Sequence, residues 1–445
     1  MAQKQAGPFV PAEVEMREAT PRALALGVIM AVFMGAANAY LGLKAGMTIA
    51  ATYTTAVVGM AVIKALGGTI LEENCARTVG SIGGNVAAGA IFTLPAFFIA
   101  GIWQPFFTPS HYLVSTVILV AGGLLGIMFV TILRRVLVDN AELPFPESVA
   151  AAEIHKAGQK GQGGSSYLLG GMGLGALFAL LTEIRVLAAK WQATLRVGHG
   201  ALVVRGPETS PAFLGVGYII GPRLAGINFS GGVLAWGLLA PAIAFFLHWH
   251  DTAAVTSWGE EIVRVWRDYV RLIAIGGMLV GAFYTLYKMR KSLVEGISRS
   301  LGNLFRPRRE AEGALPRTDR DLPIQWAVAG IGVVLAVMIA IFHWFAGNVT
   351  VALVSALVML LLGFVFAAVS GYLVGIIGVS SNPTSGLTVT VLIAAAFLMV
   401  LLGMEGATGI AAVLGVAAFT CVSVSVAGEM MQDLKAGQIL GCTPW

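Results

Sequence analysis

Apolar runs as long as a bilayer is thick recur along this chain, at about 22–42, 46–66, 82–102, 112–133, 167–189, 226–247, 270–287, 324–346, 349–377, 387–403 and 409–427. A helix needs roughly 20 such residues to cross about 30 Å of hydrocarbon. A water-soluble domain has no interior large enough for all of them. Such a domain also carries about 25% charged residues to cover its surface. Here 28 Lys+Arg and 23 Asp+Glu make only 11% of 445 residues, and mean hydropathy is +0.83. The sequence therefore predicts an all-α, polytopic integral membrane protein. The pI near 9.2 calls for no nucleic-acid partner, because basic loops on the cytoplasmic side account for it.

Polar stretches set the expected organisation. Residues 134–166 and 288–323 are the basic loops, the second with Lys288, Arg290, Lys291, Arg299, Arg306, Arg308, Arg309, Arg317 and Arg320. Both are expected on the cytoplasmic face, so an even number of crossings separates them. The short, glycine-rich Ala212–Leu224 stretch supplies the missing one as a discontinuous or re-entrant segment, tolerated only where protein or a cavity surrounds it. The count becomes about 12 crossings in a single transmembrane domain over 1–445. Both ends are then cytoplasmic, in a plasma (inner) membrane, and 190–211 is external. The first apolar run is too long for the core of a signal peptide. Cys75, Cys421 and Cys442 are odd in number and far apart, which suggests neither disulfides nor a metal cage.

Four uncharged or mixed polar clusters interrupt the apolar pattern. The first holds Asn38, Tyr40 and Lys44. A lysine there serves readily as an interfacial anchor. The second places Asn74, Thr78, Ser81 and Asn85 at helical spacing, a polar stripe that must face a cavity or another helix. Glu73 and Arg77 stand four residues apart in it and are expected to neutralise each other. The third, Gly375–Thr388, contains Ser380, Ser381, Asn382 and Ser385 between two apolar runs with no charge at all. That composition fits an interrupted helix whose free backbone groups line a path. The fourth is Glu429-Met-Met-Gln432-Asp433, for which a solvated tail is the plain alternative. His248, His250 and Asp251 have the composition of a metal site but follow a span directly, where polar and aromatic residues collect anyway, and no metal is expected.

There is no G-x-x-x-x-G-K-[ST], H-E-x-x-H or G-x-S-x-G, so the common nucleotide-hydrolysing and hydrolase apparatus is missing. No enzymatic role and no cofactor are expected. A secondary transporter leads by elimination, with an ion channel as the rival class.

Five stretches in order carry a more specific signal: Asn38–Ile49, Ile70–Asn85 continuing to Pro95, Gly215–Arg223 with Tyr218, Ser380–Gly386 and Glu429–Pro444. Together they resemble the oligopeptide transporter (OPT) family, whose yellow-stripe-like branch carries metal chelates. The resemblance implies transport of small peptides or peptide-like conjugates across the lipid bilayer by proton symport, with a metal chelate as the alternative cargo and a homo-oligomer compatible with it. It implies substrate contacts at Asn38, Tyr40, Asn74, Ser81, Asn85, Tyr218, Ser380, Ser381, Asn382 and Ser385. Coupling carboxylates are expected at Glu73 and Glu429, which adjoin family-like segments. Two departures stand out. Family members continue well past the Asp433–Pro444 element, so the chain is expected to be C-terminally incomplete. Gly83-Gly84-Asn85 stands where many members carry an acidic or different polar residue.

Overall fold

The computed structural model describes residues 7–45, 48–159, 164–188, 191–206, 222–223, 225–249, 255–277, 280–281, 284, 287, 290, 316–382 and 384–444. Nearly all of Ala212–Leu224, Tyr218 included, and most of 288–323 lie outside them. Seven described helices are long and apolar enough to span a membrane, and Gly173–Glu183 and Gly386–Leu401 are shorter apolar helices. The chain is a polytopic helical membrane protein, as its composition requires.

The chain forms two compact units, 1–164 with 282–445, and 165–281. In the first, α1 (Pro21–Ala45), α2 (Thr52–Ala65), α3 (Ile70–Ile91), α4 (Leu94–Ile99), α5 (Pro109–Leu137) and α6 (Pro146–Gln159) are followed by α10 (Ile324–Ala346), α11 (Val349–Ile377), α12 (Thr384–Leu401) and α13 (Gly406–Leu440). The last of these is the axis of the unit. Of its most apolar window 89% is buried, against 17% for α1 and for the span that contains α10. Those two leave most of their apolar windows uncovered by the rest of the described protein. Small residues let α13 sit so deep. A Cβ at Gly89 of α3 would lie 2.6 Å from Val422 Cα, and one at Gly126 of α5 would lie 2.5 Å from the Ser423 carbonyl oxygen.

One expected span is shorter than the sequence suggests, and one expected interruption is present. The run at 46–66 yields α2, only 14 residues, about 21 Å of helix. Ile49, just before it, is held by Asn38 instead of by a helical bond. The Asn38 Nδ2 donates to the carbonyls of Ile49 (2.9 Å) and Gly84 (3.0 Å), and its Oδ1 accepts from Ile49 N–H (2.9 Å). The Gly375–Thr388 stretch is an interrupted helix. α11 ends at Ile377, Gly378 takes φ +87°, and a single turn at Val379–Ser381 precedes α12.

The second unit holds α7 (Gly164–Glu183), α8 (Ala225–Leu247, with a π-helical stretch at Val233–Leu239), α9 (Trp258–Val265) and an antiparallel hairpin of β1 (Gln192–Val197) and β2 (Gly200–Arg205). The hairpin lies in the 190–211 stretch that the sequence presents only as a loop. Ala201 and Val203 of β2 pack on Ala240 and Ala244 of α8 and on Ile262 and Val265 of α9, while Arg205 stacks over Trp236 at 4.2 Å.

A buried polar network as the candidate functional site

The polar stripe of α3 begins with a capping box. Thr69 Oγ1 accepts from Glu72 N–H (3.1 Å) and Glu72 Oε2 accepts from Thr69 N–H (2.8 Å). Such reciprocal bonds satisfy the free amides of a helix start. Glu72 also receives Arg22 (2.7 Å) and the Thr20 hydroxyl (2.6 Å), so its oxygens are committed to holding α1 against α3.

From that start the stripe turns toward α13. Arg77 forms a fully buried ion pair with Asp433. It also donates from Nε and Nη2 to Asn74 Oδ1 at 3.1 and 2.8 Å. Ser81 donates to the other Asp433 oxygen at 2.8 Å, Asn74 donates to Cys442 Sγ at 3.3 Å, and Asn85 O accepts from Ser425 at 2.9 Å. Arg77 therefore does not neutralise Glu73 as their spacing predicts. Arg77 faces α13 and Glu73 faces α6, where His155 Nδ1 lies 3.1 Å from Oε2 and Gln159 donates to Oε1 at 3.0 Å. A buried charge takes the partner its neighbouring helix supplies, and helical spacing alone does not name that helix.

The Glu429–Asp433 cluster is no solvated tail. Glu429, Gln432 and Asp433 are all buried. Thr52 of α2 donates to Glu429 Oε1 at 2.8 Å, and Gln432 Nε2 donates to Thr52 Oγ1 at 3.0 Å. Gln432 Oε1 accepts from Val379 N–H at 3.1 Å, which carries the chain of bonds to the interrupted helix. There Glu147, at the start of α6, accepts from Val379 N–H (3.0 Å), Ser380 N–H (3.3 Å) and the Ser380 hydroxyl. Burial pushes the Glu147 carboxyl above the usual range, against the opposing pull of these donors.

His155 sits on the same buried face of α6 as Ser148, Ala151 and Ala152. Burial first, and the Arg77 charge second, push its imidazole down to about 3, so it is neutral. A neutral imidazole donates from Nδ1 to an ionised Glu73 or accepts from a protonated one, so it can hold either form of the carboxyl.

Of the residues singled out in the sequence, Asn74, Ser81, Asn85, Glu73 and Glu429 lie in this network directly. Ser380 and Asn382 join it through Glu147, Gln432 and Ser370. Asn38 is buried but spends its amide on backbone, and Tyr40 is 58% exposed. Tyr218 and the side chains of Ser381 and Ser385 lie outside the described residues. His248 pairs with Glu261 at 2.9 Å, and no cluster of three metal-ligating side chains occurs among the described residues. Thr52, Glu147 and His155 carry no sequence signal of their own. For the last two, the spacing 148, 151, 152, 155 marks a helical face, yet only the fold shows that the face is buried.

Comparison with known proteins bears on this arrangement. The family profile described as "OPT oligopeptide transporter protein" matches residues 18–445. A Haemophilus influenzae protein, "Putative oligopeptide transporter", is 33% identical over 427 residues, covering 91% of this chain. The chain spans 66% of that relative's length. No solved structure matches.

Proposed function

The chain belongs to the OPT oligopeptide transporter family, and on that premise we propose that it acts in secondary active transport of small peptides or peptide-like conjugates, driven by proton symport. Glu429 carries this reading. Its carboxylate is buried on the axial helix, Oε2 has no hydrogen bond, and Oε1 is linked through Thr52 and Gln432 to the interrupted helix. Symport needs an ionisable group whose charge state is tied to the segment that meets the cargo, and buried ionisable residues in spans mark such paths. Glu73 and Glu429 are the coupling carboxylates, with the neutral His155 holding Glu73 in place. Through Thr52 and Gln432, Glu429 adjoins the interrupted helix of the substrate path. The basic loops are cytoplasmic, in an inner membrane.

The test is uptake of radiolabelled di- and tripeptides into proteoliposomes, with and without an imposed inward proton gradient. The wild-type chain should accumulate peptide only with the gradient. Glu73→Gln should lose uphill accumulation and retain peptide exchange, and Glu429→Gln should lose uphill accumulation. Gradient-independent flux in the wild type would mean a channel, and normal accumulation in both variants would place coupling elsewhere.

A further inference from the structure

Three side-chain atoms around the Glu429 network are buried and make no hydrogen bond: Glu429 Oε2, Asn382 Oδ1 and Tyr53 Oη. Burying such groups without partners is unfavourable, and native interiors seldom leave them so. The amide orientation of Asn382 is assigned from its hydrogen bonds. Ser370 has one hydroxyl hydrogen, donated to the Val424 carbonyl at 3.2 Å. Its oxygen must therefore accept from Asn382 Nδ2, at 2.8 Å, which leaves Oδ1 as the idle atom. The three side chains are near neighbours through the network. The Tyr53 hydroxyl lies within electrostatic reach of Glu147 and Glu429. The Asn382 amide lies against Gly428, the residue before Glu429, where a Cβ would stand 3.2 Å from Asn382 Nδ2 and 2.6 Å from Ser370 Oγ.

Asn382 Oδ1 accepts only, Glu429 Oε2 accepts only while its carboxyl is ionised, and a tyrosine oxygen accepts as well. What they lack is a donor. The ionisable groups nearby are mostly carboxyls. Glu147, Glu429 and Asp433 are set against Arg77, which is already paired with Asp433. A group with several N–H donors and a positive charge meets both demands.

We propose that Glu429, Asn382 and Tyr53 form a subsite for a primary ammonium, the free N-terminus of a peptide or an equivalent amine. An ammonium offers three donors for three acceptors, and an ionised Glu429 carboxylate offsets its desolvation. The transporter reading supplies only the statement that this amine belongs to the cargo, and binding is testable without transport.

The experiment is thermal unfolding of the purified full chain in detergent, titrated with alanylalanine, N-acetyl-alanylalanine and alanylalaninamide. The free dipeptide and its amide should stabilise the protein, and acetylation should weaken binding by about ten- to a hundredfold, as loss of hydrogen bonds to a charged group does. Glu429→Gln keeps an acceptor for Thr52 but puts a donor at the idle position, and should abolish the preference for a free amine. Tyr53→Phe, which deletes only the hydroxyl, should reduce it. Equal binding of the acetylated dipeptide, an unchanged preference in Glu429→Gln, or no stabilisation by any amine would overturn the subsite. So would stabilisation that follows sodium concentration and ignores the amine. Amine-selective binding with no proton-driven uptake would instead overturn the transport reading and leave the subsite standing.

Discussion

His155 shows how burial turns a residue with a near-neutral pKa into a fixed neutral part. Its folded pKa, about 3, lies below the unfolded value near 6.5, so between these limits the folded chain binds fewer protons than the unfolded one. The stability this provides is complete above about pH 6.5 and is lost as pH falls toward 3, at up to roughly 1.4 kcal/mol per pH unit. His155→Gln, which does not titrate, should flatten that part of the profile. Melting temperatures of both proteins between pH 7.5 and 4.5 provide the check, and parallel curves would show that His155 is already protonated or unconstrained. Glu147 has the opposite sign, since a raised carboxyl favours its protonated form, and comparing the two proteins at each pH removes its contribution.

At the scale of elements, close approach to α13 rests on glycine. Gly89→Ala should destabilise the fold strongly, because the new methyl meets Val422 backbone rather than a movable side chain. Overpacking of this kind costs about 1–3 kcal/mol or more. Gly123→Ala in α5, which meets nothing within 4 Å, should be nearly neutral. Monodispersity on size exclusion and melting temperature distinguish the two, and equal behaviour would show that the α3–α13 contact has slack. These elements were unequally legible in the sequence. The stripe of α3 was plain because helical period and polarity agree over Asn74, Ser81 and Asn85. The interruption after Ile377 was plain because an uncharged Ser/Asn/Pro/Gly run has no reason to lie in water. By contrast, α6 read as part of a cytoplasmic loop, since 14 residues of mixed polarity give no sign that Glu147 and His155 are fully covered. The short α2 was hidden for a related reason. Its apolar run includes Ile49, which Asn38 holds instead of a helical bond, and a long-range hydrogen bond leaves no periodic trace.

Across the first unit, charged contacts gather at one end. Asp321 accepts from Arg134 and, at 2.6 Å, from Arg135. Arg317 reaches Glu18 at 2.5 Å, and Lys435 donates to the Val138 carbonyl at 2.7 Å. The two basic stretches thus meet on one face, the arrangement that charge bias demands if that face is cytoplasmic. Single cysteines replacing Glu142 and Asp319, both exposed, should react with an impermeant maleimide only in inside-out vesicles. Cysteines replacing Ser110 and Thr350, at the opposite ends of α5 and α11, should react only in right-side-out ones. Any other division between the two vesicle types would invert or break the topology.

The pairing of Arg77 with Asp433 also has a consequence in time. The partners are 356 residues apart. A ribosome adding about 5–20 residues per second needs roughly 20–70 s to make that stretch. For that interval α3 exists with Arg77, Asn74 and Ser81 facing a gap that only the axial helix fills. A bare guanidinium in hydrocarbon is costly, so nascent α3 must wait at the insertion machinery or beside water until α13 emerges. Slowing translation between the two helices should therefore expose the growing chain to membrane proteolysis far more than slowing it afterwards.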